Sequence, residues 1–277
     1  SVVLGDRYEI FASVVAANFQ RIPVAHISGG ELTLGAVDDV LRHSISKMSW
    51  YHFVSTYSNK KRVIQLGEDP KRIFVTGSLG VDRLRNTRLQ SKKIIEKKMN
   101  FKFNKKNLLI TYHPVTLENN TSSTQFKQIL SSVSALKDTK LIFTYPNSDT
   151  NGRVIIKMIK KFVSSRANNS VQFKSMGHTN YLSVLKHVDC IIGNSSSGIL
   201  EAPSLKIPTI NIGDRQRGRL KASSIVECKP IKKKILQSIK KIYSKKFRKQ
   251  LINTENPYES KISFNNIFKI IKKSLIP

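Results

Sequence analysis

Short β-rich runs alternate with longer stretches of helical periodicity along most of the chain, and few folds accommodate that pattern. The apolar runs, bounded by turn residues, predict strands at 1–5, 23–27, 52–55, 73–76, 108–112, 140–144, 170–173, 189–192 and 207–211. Helical spacing predicts helices over 9–20, 37–48, 58–67, 122–136, 152–165, 180–187 and 196–204. Such alternation is the mark of a parallel α/β sheet. In the helix over 37–48, Val37, Val40, Leu41, Ile45 and Met48 share one face, while Asp38, Asp39, Arg42, His43 and Lys47 project elsewhere.

With 277 residues, and about 100–200 residues per domain, two domains are expected. The pattern breaks over 86–106 into a basic, weakly ordered stretch and then resumes. The expected division is 1–88 as the later part of a first Rossmann-like domain, 107–255 as a second, and 256–277 as a closing amphipathic helix carrying Ile262, Phe264, Ile267, Phe268 and Ile271. The fold class is α/β, with two Rossmann-like domains, a ligand cleft between them, and the first domain incomplete. Ser1-Val2-Val3-Leu4-Gly5-Asp6 reads as a buried strand entering a site loop, so the chain is expected to be a fragment whose truncated first domain exposes sheet edges.

The charge is extreme, with 48 Lys+Arg against 18 Asp+Glu for a formal net charge of +30. Residues 229–249 hold ten Lys/Arg and no acid. Ile231, Ile235, Ile239 and Ile242 recur among those lysines at helical spacing, which reads as a solvated helix face rather than a nucleic-acid surface, because no stacking aromatics accompany the charge. A hydrophobic content of 39% suffices for packed cores. No apolar stretch reaches the roughly 18 residues of a membrane span. Two cysteines, Cys190 and Cys228, are too few for a disulfide framework or a zinc site, and a reducing cytoplasm is the simplest compartment.

Ligands of two-domain α/β proteins sit where strands end. After 1–5 comes Gly5-Asp6-Arg7, and after 23–27 comes Ser28-Gly29-Gly30-Glu31-Leu32-Thr33-Leu34-Gly35, followed by Asp38-Asp39. Asp6, Glu31 and Asp38 could converge as proton-transferring carboxylates. Asp6 could equally cap a helix, Glu31 could be a solvated loop acid, and Asp38-Asp39 could complement a helix dipole. Glycines beside Glu31 would let the backbone approach a ligand. The 108–112 strand delivers Tyr112-His113-Pro114-Val115-Thr116, where His113 suits a charged donor to an anionic leaving group. Asp189-Cys190-Ile191-Ile192-Gly193-Asn194-Ser195-Ser196-Ser197-Gly198 is a strand entering a Gly/Ser turn, a natural phosphate seat or else an ordinary capped turn. It lacks the Lys-Ser/Thr of a Walker loop, and no G-x-G-x-x-G appears for a redox dinucleotide. An arginine of Asp214-Arg215-Gln216-Arg217 could reach a diphosphate, and Tyr181 could stack on a base or serve the core.

His26-Ile27-Ser28-Gly29-Gly30-Glu31, Asp38-Asp39, Arg42-His43 and Lys47 closely resemble the hydrolysing UDP-N-acetylglucosamine 2-epimerases of sialic-acid and legionaminic-acid biosynthesis. Gly5-Asp6-Arg7, Leu66-Gly67-Glu68, Thr76-Gly77-Ser78, His113-Pro114-Val115-Thr116 and Gly193-Asn194-Ser195-Ser196-Ser197-Gly198 follow in the family's order. The resemblance covers 1–85 and 107–220 well. It implies two Rossmann-like domains, UDP in the cleft between them, and conversion of UDP-N-acetylglucosamine, or a 2,4-diacetamido-trideoxy analogue, to UDP and the free manno-configured sugar. Asp6, Glu31, Asp38 and His113 take the catalytic positions, and Arg7, Tyr181, Ser195, Ser196, Glu201 and Arg215 the UDP-contacting ones. No metal or redox cofactor, no membrane and no nucleic acid is implied, and the full-length protein is expected to form a homo-oligomer. Some relatives place a glutamate where this chain has Ser28, so Glu31 is expected to supply that acid. The competing readings are a UDP-sugar glycosyltransferase of the same architecture and an inactive basic binding fragment.

Overall fold

A computed structural model describes residues 1–33, 38–115, 121–147, 152–260 and 264–274. Leu34, Gly35, Val37, Thr116 and Ile262 lie outside the described residues. The chain divides into two compact units, one of Ser1–Arg85, Arg217–Arg219 and Pro257–Pro277, the other of Asn86–Gln216 and Leu220–Asn256.

The first unit holds a four-stranded parallel sheet, β1 (Val2–Leu4), β2 (Ala25–Ile27), β3 (Tyr51–Val54) and β4 (Ile73–Val75), in that spatial order. Helices Tyr8–Phe19, Asp38–Lys47, Tyr57–Gln65 and Leu79–Asn86 follow the strands in turn. Val3, Val14, Val24 and Ile45 pack together in one cluster, and Ala25, Ile27 and Phe53 pack against Ile267 of the C-terminal helix in another. The parallel strands are thus apolar on both sides, as parallel sheets require. Val2 and Leu4 of the edge strand β1 are half exposed, and Tyr8 and Phe19 are exposed.

The second unit has six parallel strands: β5 (Lys106–Thr111), β6 (Thr139–Thr144), β7 (Ser170–Phe173), β8 (Cys190–Gly193), β9 (Thr209–Ile212) and β10 (Ile225–Cys228). Their spatial order is β7-β6-β5-β8-β9-β10. Renumbered within the unit this is 3-2-1-4-5-6, the doubly wound dinucleotide-fold order. Its strand order reverses between β5 and β8, so the loops after those two strands flank the topological switch point. Leu108, Ile110, Phe126, Ile129, Phe143, Ile192, Ile210 and Ile235 form the core.

Several expectations need correction. The stretch 86–106 contains the end of helix Leu79–Asn86 and helix Lys92–Lys98, whose single buried residue, Ile95, leaves almost no apolar periodicity to read. Strand β10 and helix Lys245–Ile252 were not anticipated. The helix predicted over 196–204 is one α-turn, Ser197–Leu200, followed by a 3₁₀ turn, Ala202–Leu205, because Pro203 cannot continue the α hydrogen-bond pattern. Among the described residues of the tail, Phe264–Ser274 is helical and 256–260 is not; there Tyr258 is buried with its carbonyl accepting from Ser78 N at 2.9 Å. In helix Lys232–Ile242 the isoleucines 235, 239 and 242 face inward and the lysines stay exposed.

Candidate active site

In the first unit the site is built around an arginine. Arg42 was expected to project away from the apolar face that includes Val40, yet it is only 2% exposed, whereas Val40 is 68% exposed. The inversion has an electrostatic cause. Arg42 Nη2 pairs with the Asp6 carboxylate after β1 and donates to Thr33 Oγ1 at 3.0 Å. Its Nη1 donates to the Glu31 carbonyl at 2.8 Å and to Asp39 Oδ1 at 3.2 Å. A guanidinium can be buried when its donors meet anionic and carbonyl oxygens in this way. Asp39 also accepts from Thr33 N at 2.7 Å, which fixes the loop to the helix start. Asp38, beside it, is partly buried at the first position of the helix.

The glycines before Glu31 act differently from the expectation. A Cβ on Gly29 would lie 2.8 Å from Ser46 Oγ, and one on Gly30, where φ is +70°, 2.6 Å from the Asn59 carbonyl. They let the loop press onto two helices rather than give it reach. Glu31 is accordingly anchored: 7% exposed, Oε1 accepting from Ser55 Oγ at 2.7 Å and Oε2 paired with Arg219 Nη2 at 3.1 Å.

His26 on β2 supports the same floor. Its Nε2 lies 2.9 Å from the Gly5 carbonyl, which can only accept, so the proton sits on Nε2, and Nδ1 lies 3.1 Å from Ser46 Oγ, whose one hydroxyl proton also faces the Arg42 carbonyl at 3.1 Å. Burial pushes the ring down to about 4, so it is neutral near pH 7. Arg7 is exposed, with Nε 3.4 Å from Glu9 Oε2. Glu68 binds Lys47 Nζ at 2.6 Å and His52 Nε2 at 3.2 Å, which gives the Gly67-Glu68 motif a packing role.

In the second unit, Asn194 stitches the switch point. Its Oδ1 accepts from His113 N at 2.7 Å and its Nδ2 donates to the His113 carbonyl at 2.8 Å, tying the loop after β5 to the loop after β8. Gly193 makes the approach possible, because a Cβ there would fall 1.8 Å from the Thr111 carbonyl. The Asn194 carbonyl accepts from Arg215 Nη1 at 3.2 Å and Gln216 Nε2 at 2.8 Å, which places a guanidinium at the switch point. Ser195 Oγ accepts from Ser197 N at 3.4 Å, and Ser195 and Ser196 are partly exposed.

His113 corrects a sequence-based expectation. Its Nδ1 accepts from Asn147 N–H at 3.1 Å, so the ring proton belongs on Nε2. Burial, with the Arg215 charge adding to it, pushes the ring down to about 3. It is therefore a neutral N–H donor, not a charged one. Tyr181 has a buried hydroxyl, and burial with the nearby Glu201 charge raises the phenol above its ordinary range.

Of the sequence-predicted residues, the first unit brings Asp6 and the Glu31 backbone onto one guanidinium, and the second brings His113 and Arg215 onto Asn194. Sequence reasoning missed Arg42 and Asn194 as organisers, although both stood inside quoted motifs. Arg219 and Ser55 carried no signal. Among the described residues no cluster of His, Cys, Asp and Glu could hold a metal ion.

Parallel sheets with glycine-shaped loops at strand ends, one carrying a buried carboxylate–guanidinium cluster and the other a guanidinium at a switch point, define an α/β protein of the Rossmann type. Residues 1–272 match the family described as UDP-N-acetylglucosamine 2-epimerase, and the chain belongs to that family. It is 43% identical over 247 residues to a GDP/UDP-N,N'-diacetylbacillosamine 2-epimerase (hydrolyzing) of Campylobacter jejuni, covering 89% of this chain and 64% of that protein. It is 40% identical to polysialic acid biosynthesis protein P7 of Escherichia coli, covering 98% and 69%. The chain thus spans about two thirds of the length of these relatives. Its fold is similar to that of a UDP-GlcNAc 2-epimerase from Neisseria meningitidis solved with UDP-GlcNAc, with a TM-score of 0.80 at 23% identity, covering 99% and 75% of the two chains.

Proposed function

We propose that this chain carries the machinery of a hydrolysing 2-epimerase acting on UDP-N-acetylglucosamine or a 2,4-diacetamido-trideoxy analogue. The observation that carries the reading is the Arg42-centred cluster, in which one buried guanidinium holds the Asp6 and Asp39 carboxylates and the Glu31 backbone carbonyl in fixed orientation, as a proton-transfer site would require. Similarity to relatives named as hydrolysing 2-epimerases supports it.

In the proposed reaction, a carboxylate among Asp6, Glu31 and Asp38 removes the C2 proton. The C–H electrons form the C1–C2 double bond as the C1–O bond to UDP breaks. Water then adds its oxygen to C1, and a proton returns to C2 on the opposite face, giving the free manno-configured sugar. Residues 1–88 supply the proton-handling groups. Residues 107–255 supply the nucleotide seat, with Arg215 taking up charge on the departing UDP, His113 donating its neutral Nε2–H, and Ser195, Ser196, Tyr181 and Glu201 contacting the nucleotide. Arg7, exposed and cationic, would add a further phosphate contact. A free 2-acetamido-manno sugar is the product class that sialic-acid-type pathways consume, and cytoplasmic UDP-sugar pools would feed such an enzyme.

The test is NMR of UDP-N-acetylglucosamine with the protein in deuterated water. Free UDP and free N-acetylmannosamine bearing deuterium at C2 are expected together. UDP release that requires an added sugar acceptor would instead establish a glycosyltransferase. Asp6→Asn should abolish turnover while sparing UDP binding, and Arg215→Ala should mainly weaken UDP binding.

A further inference from the structure

Arg219 has more hydrogen-bonding capacity than its surroundings use. The segment Arg217–Arg219 packs with the first unit, although β9 before it belongs to the second. There the Arg219 side chain is 12% exposed, and only its Nη2 is engaged, by Glu31 Oε2. Nε and Nη1 are shielded from solvent and have no partner among the described residues. Glu31 cannot serve them with its other oxygen, because Oε1 is taken by Ser55. A charged donor stripped of water and left without an acceptor forfeits its hydration, so such donors mark a place where a ligand oxygen completes the site.

The chemistry of that oxygen follows from the neighbourhood. Along 214–221, Arg215, Arg217, Arg219 and Lys221 stand against the single acid Asp214. Lys221 is paired with Glu227 at 2.7 Å, and Glu31 already neutralises one cationic charge at Arg219. The segment is still in excess of positive charge. Guanidinium N–H groups match phosphoryl oxygens in geometry and charge better than any other side-chain donor.

We propose that Arg219 is a diphosphate-binding residue whose Nε–H and Nη1–H take phosphoryl oxygens of the nucleotide while Nη2 keeps Glu31 in place. The inference rests on the nucleotide-sugar reading given above and deepens it. Arg219 then couples arrival of the substrate's diphosphate to the position of the Glu31 carboxylate, two functions that a lysine's single ammonium cannot span.

The test uses the full chain and two variants, Arg219→Gln and Arg219→Lys, with UDP binding followed by calorimetry and uridine binding by saturation-transfer NMR. Arg219→Gln is expected to weaken UDP about tenfold or more, while uridine, which has no phosphate, binds unchanged. Arg219→Lys should recover part of the UDP affinity, since it restores the charge. Equal weakening of UDP and uridine, or UDP affinity indifferent to either substitution, overturns the proposal while leaving the epimerase reading intact. Failure of the unsubstituted chain to bind UDP overturns both.

Discussion

Replacing His26 by Gln should change how the first unit's stability responds to acid. The ring is fully buried, with Nε2 on the Gly5 carbonyl and Nδ1 on Ser46, and the fold holds it at about 4 against 6.5 for a free imidazole. A histidine whose pKa is depressed by folding stabilises the native state above its unfolded value. As pH falls below 6.5 the unfolded chain takes up a proton that the native ring refuses, and this contribution is lost progressively until about pH 4. At about 1.4 kcal/mol per pKa unit, the loss is about 3 kcal/mol. Glutamine retains a donor for the Gly5 carbonyl but does not titrate. The chain's single tryptophan, Trp50, lies beside β3, half exposed and with Arg72 Cζ 4.1 Å from its ring centroid, so its fluorescence reports on this unit. Urea unfolding followed at Trp50, from about pH 7.5 down to about pH 4.5, should show wild-type stability falling relative to His26→Gln by about 2–3 kcal/mol. His43 and His52, also pushed down by burial, titrate in both proteins and cancel in the difference. Two curves that stay parallel across that range would refute the buried neutral ring.

Two further substitutions probe the frameworks of the two units. Arg42→Met would leave Asp6 and Asp39 without their shared cation and cost about 3–5 kcal/mol in Trp50-monitored unfolding. Arg42→Lys should fare little better, because one ammonium cannot meet acceptors on Asp6, Thr33, Asp39 and Glu31 together. Gly193→Ala places a methyl against the Thr111 carbonyl at φ +143°, and calorimetric melting should show a loss of more than about 3 kcal/mol or no folded second unit.

The order and type of most elements were legible in the sequence because buried parallel strands and amphipathic helices carry strong periodicity. Of the elements missed, Lys92–Lys98 carries little apolar periodicity, whereas β10 and Lys245–Ile252 do hold buried apolar residues but are too short to show a clear period, and the helix over 196–204 is cut short at Pro203. The loops that hold Asp6, Glu31, His113 and Arg215 could be found from their positions after strands. What those side chains do there could not, because it depends on partners far away in the chain. Arg42 reaches back 36 residues to Asp6, and Asn194 reaches back 81 to His113.

The amino-acid pattern by itself determined the α/β class, the strand and helix succession and the candidate loops, since each follows from local periodicity and turn chemistry. Only tertiary structure decided that Arg42 is buried, that Glu31 is clamped rather than mobile, that His26 and His113 are neutral, and that Arg219 joins the first unit. Charge state and side-chain direction depend on desolvation and on hydrogen-bond partners brought together from distant segments, and neither is written in the spacing of residues along the chain.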